Sequence, residues 1–147
     1  MQNNIDIKDT VGIATFSLFV MSLISFGIYL VYWVGKATAV LNAGNKIKPI
    51  SEVLVGFLCV VLGAGALVTY SETDPAMQII YLLFSLVCSG LYIWWAYQAR
   101  TALIAYAAEH YGIELKMNRF YTFIFNVYYI CYCVNCLPVA KSSNQSA

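Results

Sequence analysis

The residues best suited to chemistry in this chain are three cysteines near its C-terminal end, Cys131, Cys133 and Cys136. A Cys-x-x-Cys pair can form a disulfide, and a third thiolate would allow a soft metal such as Zn²⁺ or Cu⁺ to bind. On a helix, however, residue 131 is turned well away from the face shared by 133 and 136, because each residue rotates by about 100°. Three interpretations stay open: small thiols packed at a helix interface, a Cys133–Cys136 disulfide, and a weaker metal site. We favour the first, and expect neither a catalytic residue nor a cofactor.

Two other polar residues are candidates for chemistry. Asn126 lies seven residues after Arg119 in an apolar segment, which is about 10 Å along a helix. We expect its amide to bond across a helix interface, and the alternative is a contact with a substrate or pore. His110, the only histidine, follows Glu109. Adjacent residues do not face each other on a helix, so these two do not form an acid–base pair.

The elements that must position these residues are long and apolar. Apolar residues make up 61% of the 147 residues, against about 45–50% in soluble domains. Four windows without any charge cover residues 10–35, 53–71, 75–99 and 120–140, and each is long enough for the roughly 17–25 residues of a transmembrane helix. We therefore predict a single all-α polytopic membrane domain. Its four transmembrane helices are expected at residues 11–34, 53–70, 76–98 and 120–138, before a short polar tail at 139–147.

The basic residues predict the orientation of this bundle. The connection between the second and third windows holds only Glu72 and Asp74 as charged residues. Six of the eight basic residues fall around the other two connections: Lys36, Lys46, Lys48, Arg100, Lys116 and Arg119. Because Lys and Arg in short loops stay in the cytoplasm, both of these connections are predicted there and both termini outside. Lys46, Lys48, Lys116 and Arg119 are also candidate contacts for anionic lipid headgroups.

Helix ends and a weak internal repeat predict two hairpins of one design. No breaker follows the first and third windows until Gly44 and Gly112, so helices 1 and 3 are predicted to be continuous for about 33–37 residues, on the order of 50 Å. Both would extend into the cytoplasm. An offset of 63 residues aligns Gly27 with Gly90. The predicted architecture is two tandem helical hairpins, related as parallel repeats.

A short motif at the end of the first window resembles a known family. It consists of the run Ser25-Phe26-Gly27-Ile28-Tyr29, then Tyr32-Trp33, Lys36 and Leu41-Asn42. This pattern is similar to that of small bacterial membrane proteins catalogued as domain of unknown function 4234, over about the first 45 residues. The resemblance implies a multi-pass protein of the bacterial inner membrane. It implies no activity and no functional residue.

Small residues predict where helices approach closely. Gly35 begins two small-xxx-small steps with Ala39 and Ala43, and Gly63 begins a Gly-Ala-Gly-Ala run. Such faces allow membrane helices to associate. The partner on these faces is either another helix of the chain or a second subunit.

The distribution of charged residues limits the classes of function that we expect. No ionisable side chain of Asp, Glu, Lys, Arg or His lies inside the four windows, which argues against an ion-coupled transporter. We predict a non-enzymatic structural, accessory or interaction role, either as a homo-oligomer or with another membrane protein, in contact with lipid and not with nucleic acid. One alternative is a small channel or permease for a neutral or lipid-like solute, lined by Tyr29, Tyr92 and Tyr128. A further alternative is a thiol redox or metal-handling protein.

Overall fold

The structure is a computed structural model that describes residues 7–45, 50–68 and 75–144. These residues form helices and connections without a strand, as the all-α prediction requires. The six helices are α1 (Ile7–Val11), α2 (Thr15–Ile24), α3 (Ile28–Gly44), α4 (Glu52–Val68), α5 (Pro75–Tyr111) and α6 (Arg119–Asn144).

The third predicted helix is confirmed as one long element. Helix α5 has 37 residues and is therefore about 55 Å long at 1.5 Å per residue. Pro75 is its first residue, where the missing N–H of proline costs nothing. The helix ends before Gly112, whose φ of 63° is the left-handed conformation typical of a glycine after a helix.

The first predicted helix, by contrast, is not continuous, and that prediction is wrong. The chain leaves helical geometry at residues 25–27, where Phe26 has φ 52° and Gly27 has φ 86°. The N–H of Gly27 donates to the carbonyl of Ser22 at 2.7 Å, which is the bond that closes a helix in a Schellman-type cap. Glycine accepts this conformation without a steric penalty, so the local sequence can stop α2 and start α3 at once.

Helices α2 and α3 fold back on each other. The indole N–H of Trp33 donates to the carbonyl of Val11 at 3.0 Å. These two residues would be about 33 Å apart on a straight helix. The chain therefore reverses at residues 25–27, and α2 with α3 forms an antiparallel pair that we call the first hairpin.

Helix α6 also reverses. Asn126 has φ 48° and ψ −118° and separates two helical segments. The rings of Tyr121 and Tyr129 have centroids 5.9 Å apart, although eight residues advance about 12 Å along a straight helix. The N–H of Asn118 also donates to the hydroxyl of Tyr129 at 3.2 Å, so the segments 119–125 and 127–137 fold towards each other at Asn126, and we call this pair the second hairpin.

Contacts between helices define a common direction. Trp95 of α5 donates from Nε1 to Thr38 Oγ1 of α3 at 2.8 Å, and Asn45 just after α3 donates to the carbonyl of Ala102 at 3.2 Å. Helices α3 and α5 are therefore parallel, and α4 runs antiparallel to both, since Ser51 before α4 bonds to Gln98. We call the end of the molecule that holds Gly44 and Tyr111 the base.

The second hairpin points in the same direction as the first. The hydroxyls of Ser22 and Tyr128 are 2.8 Å apart, and Asn135 donates to the carbonyl of Ile13 at 2.7 Å. Segment 127–137 thus runs antiparallel to α2 and descends towards the base. The first tip ends part of the way along α5, because Phe26 shares a cleft with Phe84 and Cys88. The second tip lies close to it, because Tyr128 contacts Ser22.

The buried core lies in the half of the molecule near the base. Trp95, Leu103 and Ile130 are fully buried there. In residues 75–90 of α5, only Phe84 and Cys88 are half-buried and all the others are exposed. The long helix therefore leaves the core and continues as an exposed apolar rod.

Two helices in the described ranges are long and apolar enough to cross a membrane, namely α5 and residues Arg119–Leu137 of α6. Four such helices are not found among those residues, so the prediction of four transmembrane helices is not supported. The physical reason is that the first window is divided at residues 25–27. The predicted hairpins also differ from each other: Gly27 forms a reversal, whereas Gly90, its partner in the proposed repeat, lies inside α5.

Candidate functional site

The cysteine cluster is a packing element in this structure. All five cysteines are free thiols, with Cys131 and Cys133 buried and Cys136 half-buried. Cys131 donates from Sγ to the carbonyl of Ile13 at 3.3 Å. Over the part of the chain that the structure covers, no three Cys, His, Asp or Glu residues are grouped to hold a metal ion. Cys131 and Cys133 belong to the buried core cluster.

Asn135 is a polar contact that the sequence analysis missed. Its amide donates to the carbonyl of Ile13 at 2.7 Å and to the carbonyl of Cys131 at 3.1 Å. Ile13 lies in the connection between α1 and α2, where backbone groups lack helical partners. The amide and the thiol together tie this connection to the second hairpin. The sequence feature that could have identified this contact is a polar residue, Asn135, between two cysteines near the end of an apolar window.

Asn126 does not act as predicted. It lies at the tip of the second hairpin and makes no cross-helix hydrogen bond, and its φ of 48° with ψ of −118° lies outside the left-handed helical region. Its Oδ1 is buried and has no hydrogen-bond partner in the structure. Asn126 therefore changes the direction of the backbone and leaves its side-chain carbonyl oxygen without a hydrogen bond.

The three tyrosines proposed as a polar lining are half-buried and pack against the apolar core: Tyr29, Tyr92 and Tyr128. Tyr128 also pairs with Ser22. None of the three lines either of the two clefts described here. The arrangement gives them a packing role.

The two glycines predicted to pack helices behave differently. A Cβ placed on Gly35 would meet Val55 Cγ1 of α4 at 3.6 Å, an ordinary contact. A Cβ on Gly63 would meet nothing within 4 Å. Gly35 thus lies against α4 at a distance that would also accommodate an alanine, whereas Gly63 faces an open space.

That open space is the largest cleft described, with a volume of about 830 Å³. It follows the groove between the antiparallel helices α3 and α4. One face of α3 lines it at helical spacing, with Ile28, Val31, Tyr32, Gly35 and Lys36. Four residues of α4 complete it, namely Val55, Cys59, Leu62 and Gly63, and Phe26 caps it at the hairpin tip. The cleft is apolar apart from Lys36 and the Tyr32 hydroxyl.

The basic residues near the base have separate roles. Lys46 and Lys48 lie outside the described residues. Lys116 and Arg119 are exposed, as a headgroup contact requires. Arg100 instead donates from Nε and Nη2 to the carbonyl of Met117, at 3.2 and 2.8 Å, and holds the connection between α5 and α6.

Other polar side chains at the base are satisfied by the backbone. Asn42 bonds to both the carbonyl and the N–H of Ile50, at 2.8 and 3.1 Å. His110 stacks on Tyr106 with ring centroids 4.2 Å apart. These contacts stabilise the base of the molecule. None of them places a nucleophilic side chain next to a general base.

Comparison with known proteins adds no relative: no family model, curated protein or solved structure matches the chain. The resemblance in residues 25–42 therefore stays a prediction.

Proposed function

We propose that this chain is an integral protein of the bacterial inner membrane with a non-enzymatic structural or accessory role, as a homo-oligomer or as a subunit of a membrane complex. The observation that carries the proposal is the distribution of exposed apolar side chains. They cover the outward half of α5 and both hairpins: Ile79, Leu82, Leu86, Phe16, Phe19, Leu23, Phe26, Phe120, Phe123 and Phe125 are examples. Soluble monomers rarely expose contiguous apolar patches of more than a few hundred Å².

The tip of the first hairpin supports placement in hydrocarbon. Phe26 is 94% exposed, so this tip is not covered by the rest of the chain. The backbone N–H groups of residues 25, 26, 27 and 28 each donate to a carbonyl of the same turn, at 2.7–3.3 Å. Hydrocarbon accepts only backbone whose polar groups are satisfied internally.

The two hairpins favour a topology other than four crossings. Helix α2 has 10 residues and is about 15 Å long, which is half of a hydrocarbon core about 30 Å thick. Residues Arg119–Leu137 of α6 are long enough to cross, but non-helical geometry at Asn126 divides them. We infer that α5 crosses the membrane together with α4, whose 17 residues extend about 25 Å, while both hairpins enter from the base and return to it. Both termini then share the side of the base, in contrast to the termini outside that four crossings predict.

The base is proposed to face the cytoplasm. The exposed Lys8, Lys36, Lys116 and Arg119 belong to this end, and basic residues near membrane segments are retained in the cytoplasm. The acidic residues Glu72 and Asp74 lie in the connection between α4 and α5, which the topology puts on the opposite side.

The test is native mass spectrometry of the tagged chain, extracted from its own membrane in mild detergent after a carbonate wash. We expect the chain to stay in the washed membrane and to appear as a defined homo-oligomer or heteromer. Release by carbonate would contradict the membrane placement. A lone monomer in detergents of several strengths would contradict the accessory role.

A further inference from the structure

The cleft between α3 and α4 has the form of a site for one elongated apolar ligand. Its walls are the exposed sides of two antiparallel helices, and its floor lacks side chains at Gly35 and Gly63. Because a Cβ on Gly63 would meet nothing within 4 Å, no side chain of the described chain fills this part of the groove.

One cation stands at the end of the groove nearer the base. Lys36 lines the cleft and is exposed. Among the residues in the described ranges, none forms an ion pair with it. The groove therefore combines apolar walls with one positive charge at one end that no described residue neutralises, the pattern that complements an anionic amphiphile.

The dimensions match one leaflet. Eight residues separate Ile28 from Lys36 on α3, a distance of about 12 Å at 1.5 Å per residue. One leaflet contributes about 15 Å of the roughly 30 Å hydrocarbon core. An acyl chain lying along the groove from the hairpin tip would bring its headgroup to the level of Lys36.

We propose that this cleft binds one anionic phospholipid, with an acyl chain along residues 28–35 and its phosphate at Lys36. The inference rests on the proposed membrane placement. Charge favours a lipid over a second copy of the chain, because a two-fold contact presents the same patch twice and would bring the two Lys36 side chains into one interface.

The experiment is native mass spectrometry in detergent micelles with added phosphatidylglycerol or phosphatidylcholine of identical acyl chains. We expect one lipid to be retained with a preference for phosphatidylglycerol. Lys36→Gln should lower that preference about fivefold, the equivalent of roughly 1 kcal/mol per basic residue near a charged headgroup. The matched control Lys8→Gln removes an exposed charge that does not line the cleft and has no proposed headgroup role, so it should leave the preference unchanged.

A second pair of variants tests the groove itself. Gly63→Leu fills the apolar part of the cleft and should reduce retention of both lipids. Gly56→Leu is its control, because Gly56 lies on the same helix, also has open space around it, and does not line the cleft. Equal elution of both variants from a sizing column shows that the fold is kept.

Equal retention of the two lipids by the unmodified chain, or an unchanged preference in Lys36→Gln, would overturn the lipid site. A dimer that forms in the unmodified chain but not in Gly63→Leu would also overturn the lipid site, because the groove would then bind a second copy of the chain. These outcomes are distinct from failure of the membrane placement, which shows as release of the chain by carbonate before any lipid is added.

Discussion

The hydroxyl groups of Ser22 and Tyr128 lie 2.8 Å apart and join the first hairpin to the second. Ser22 also donates to the carbonyl of Phe19 at 2.8 Å, so Tyr128 is the donor towards Ser22. The ring of Tyr128 packs edge-on against Phe19, with centroids 5.9 Å apart. This contact connects segments that are 106 residues apart in sequence.

The first prediction concerns the energy of that contact. Ser22→Ala and Tyr128→Phe should each lower the free energy of unfolding, and the double variant should lose less than the sum. We expect a coupling of about 0.6–1.7 kcal/mol, the range of hydrogen bonds between membrane helices. Unfolding in detergent micelles measures it. Strict additivity would show that the two hydroxyls do not interact.

The second prediction concerns the reversal at Gly27. Gly27→Ala should destabilise the chain by about 1–2 kcal/mol, because its φ of 86° is unfavourable for a residue with a Cβ. No neighbouring atom lies within 4 Å, so strain is the only cause. Gly90→Ala, inside α5 and equally open, should stabilise by roughly 0.5–1 kcal/mol. The same sign of effect at both positions would contradict a reversal at residue 27.

The third prediction concerns a buried hydrogen bond in the core. Thr38→Val would leave the indole N–H of the fully buried Trp95 without its acceptor. We expect a loss of about 1–3 kcal/mol in the free energy of unfolding. Thr101→Val is the control, since Thr101 is exposed and bonds only to the carbonyl of Tyr97 within its own helix. Its effect should stay within about 0.5 kcal/mol.

The fourth prediction concerns topology. In a variant with all five cysteines changed to alanine, Lys8→Cys and Lys116→Cys should be labelled by a membrane-impermeant maleimide from the same side of the membrane. Two crossings with two returning hairpins require this result. Four crossings put the two positions on opposite sides, whichever way the protein is oriented, so labelling from opposite sides would restore that model.

Helix ends that carry local chemical signals could be predicted from the sequence. Gly112 follows the end of α5 as expected, and α5 begins at residue 75, where the third charge-free window begins. Asn118 accepts a hydrogen bond from the N–H of Phe120 at 2.9 Å, which is the geometry of an N-cap. These features depend on residues close in sequence, so they can be predicted without knowledge of the tertiary structure.

The two reversals could not be predicted in the same way. An apolar window has the same composition whether it crosses a bilayer once or turns back at its middle. Gly27 and Asn126 both permit positive φ, but so would Gly90, which lies in a continuous helix. The positions where the chain reverses differ from Gly90 in their tertiary contacts, such as the hydrogen bond from Trp33 to Val11. The cleft at Lys36 is equally a product of pairing between α3 and α4.

The depth of the hairpins has a consequence for the surrounding bilayer. Both tips stop part of the way along α5, so in the proposed placement the cytoplasmic leaflet holds α4, α5 and both hairpins. Of the described helices, only α4 and α5 extend into the opposite leaflet. The protein therefore displaces more lipid area on one side of the membrane than on the other. A molecule with this wedge-shaped profile is accommodated with least strain where the cytoplasmic surface is convex.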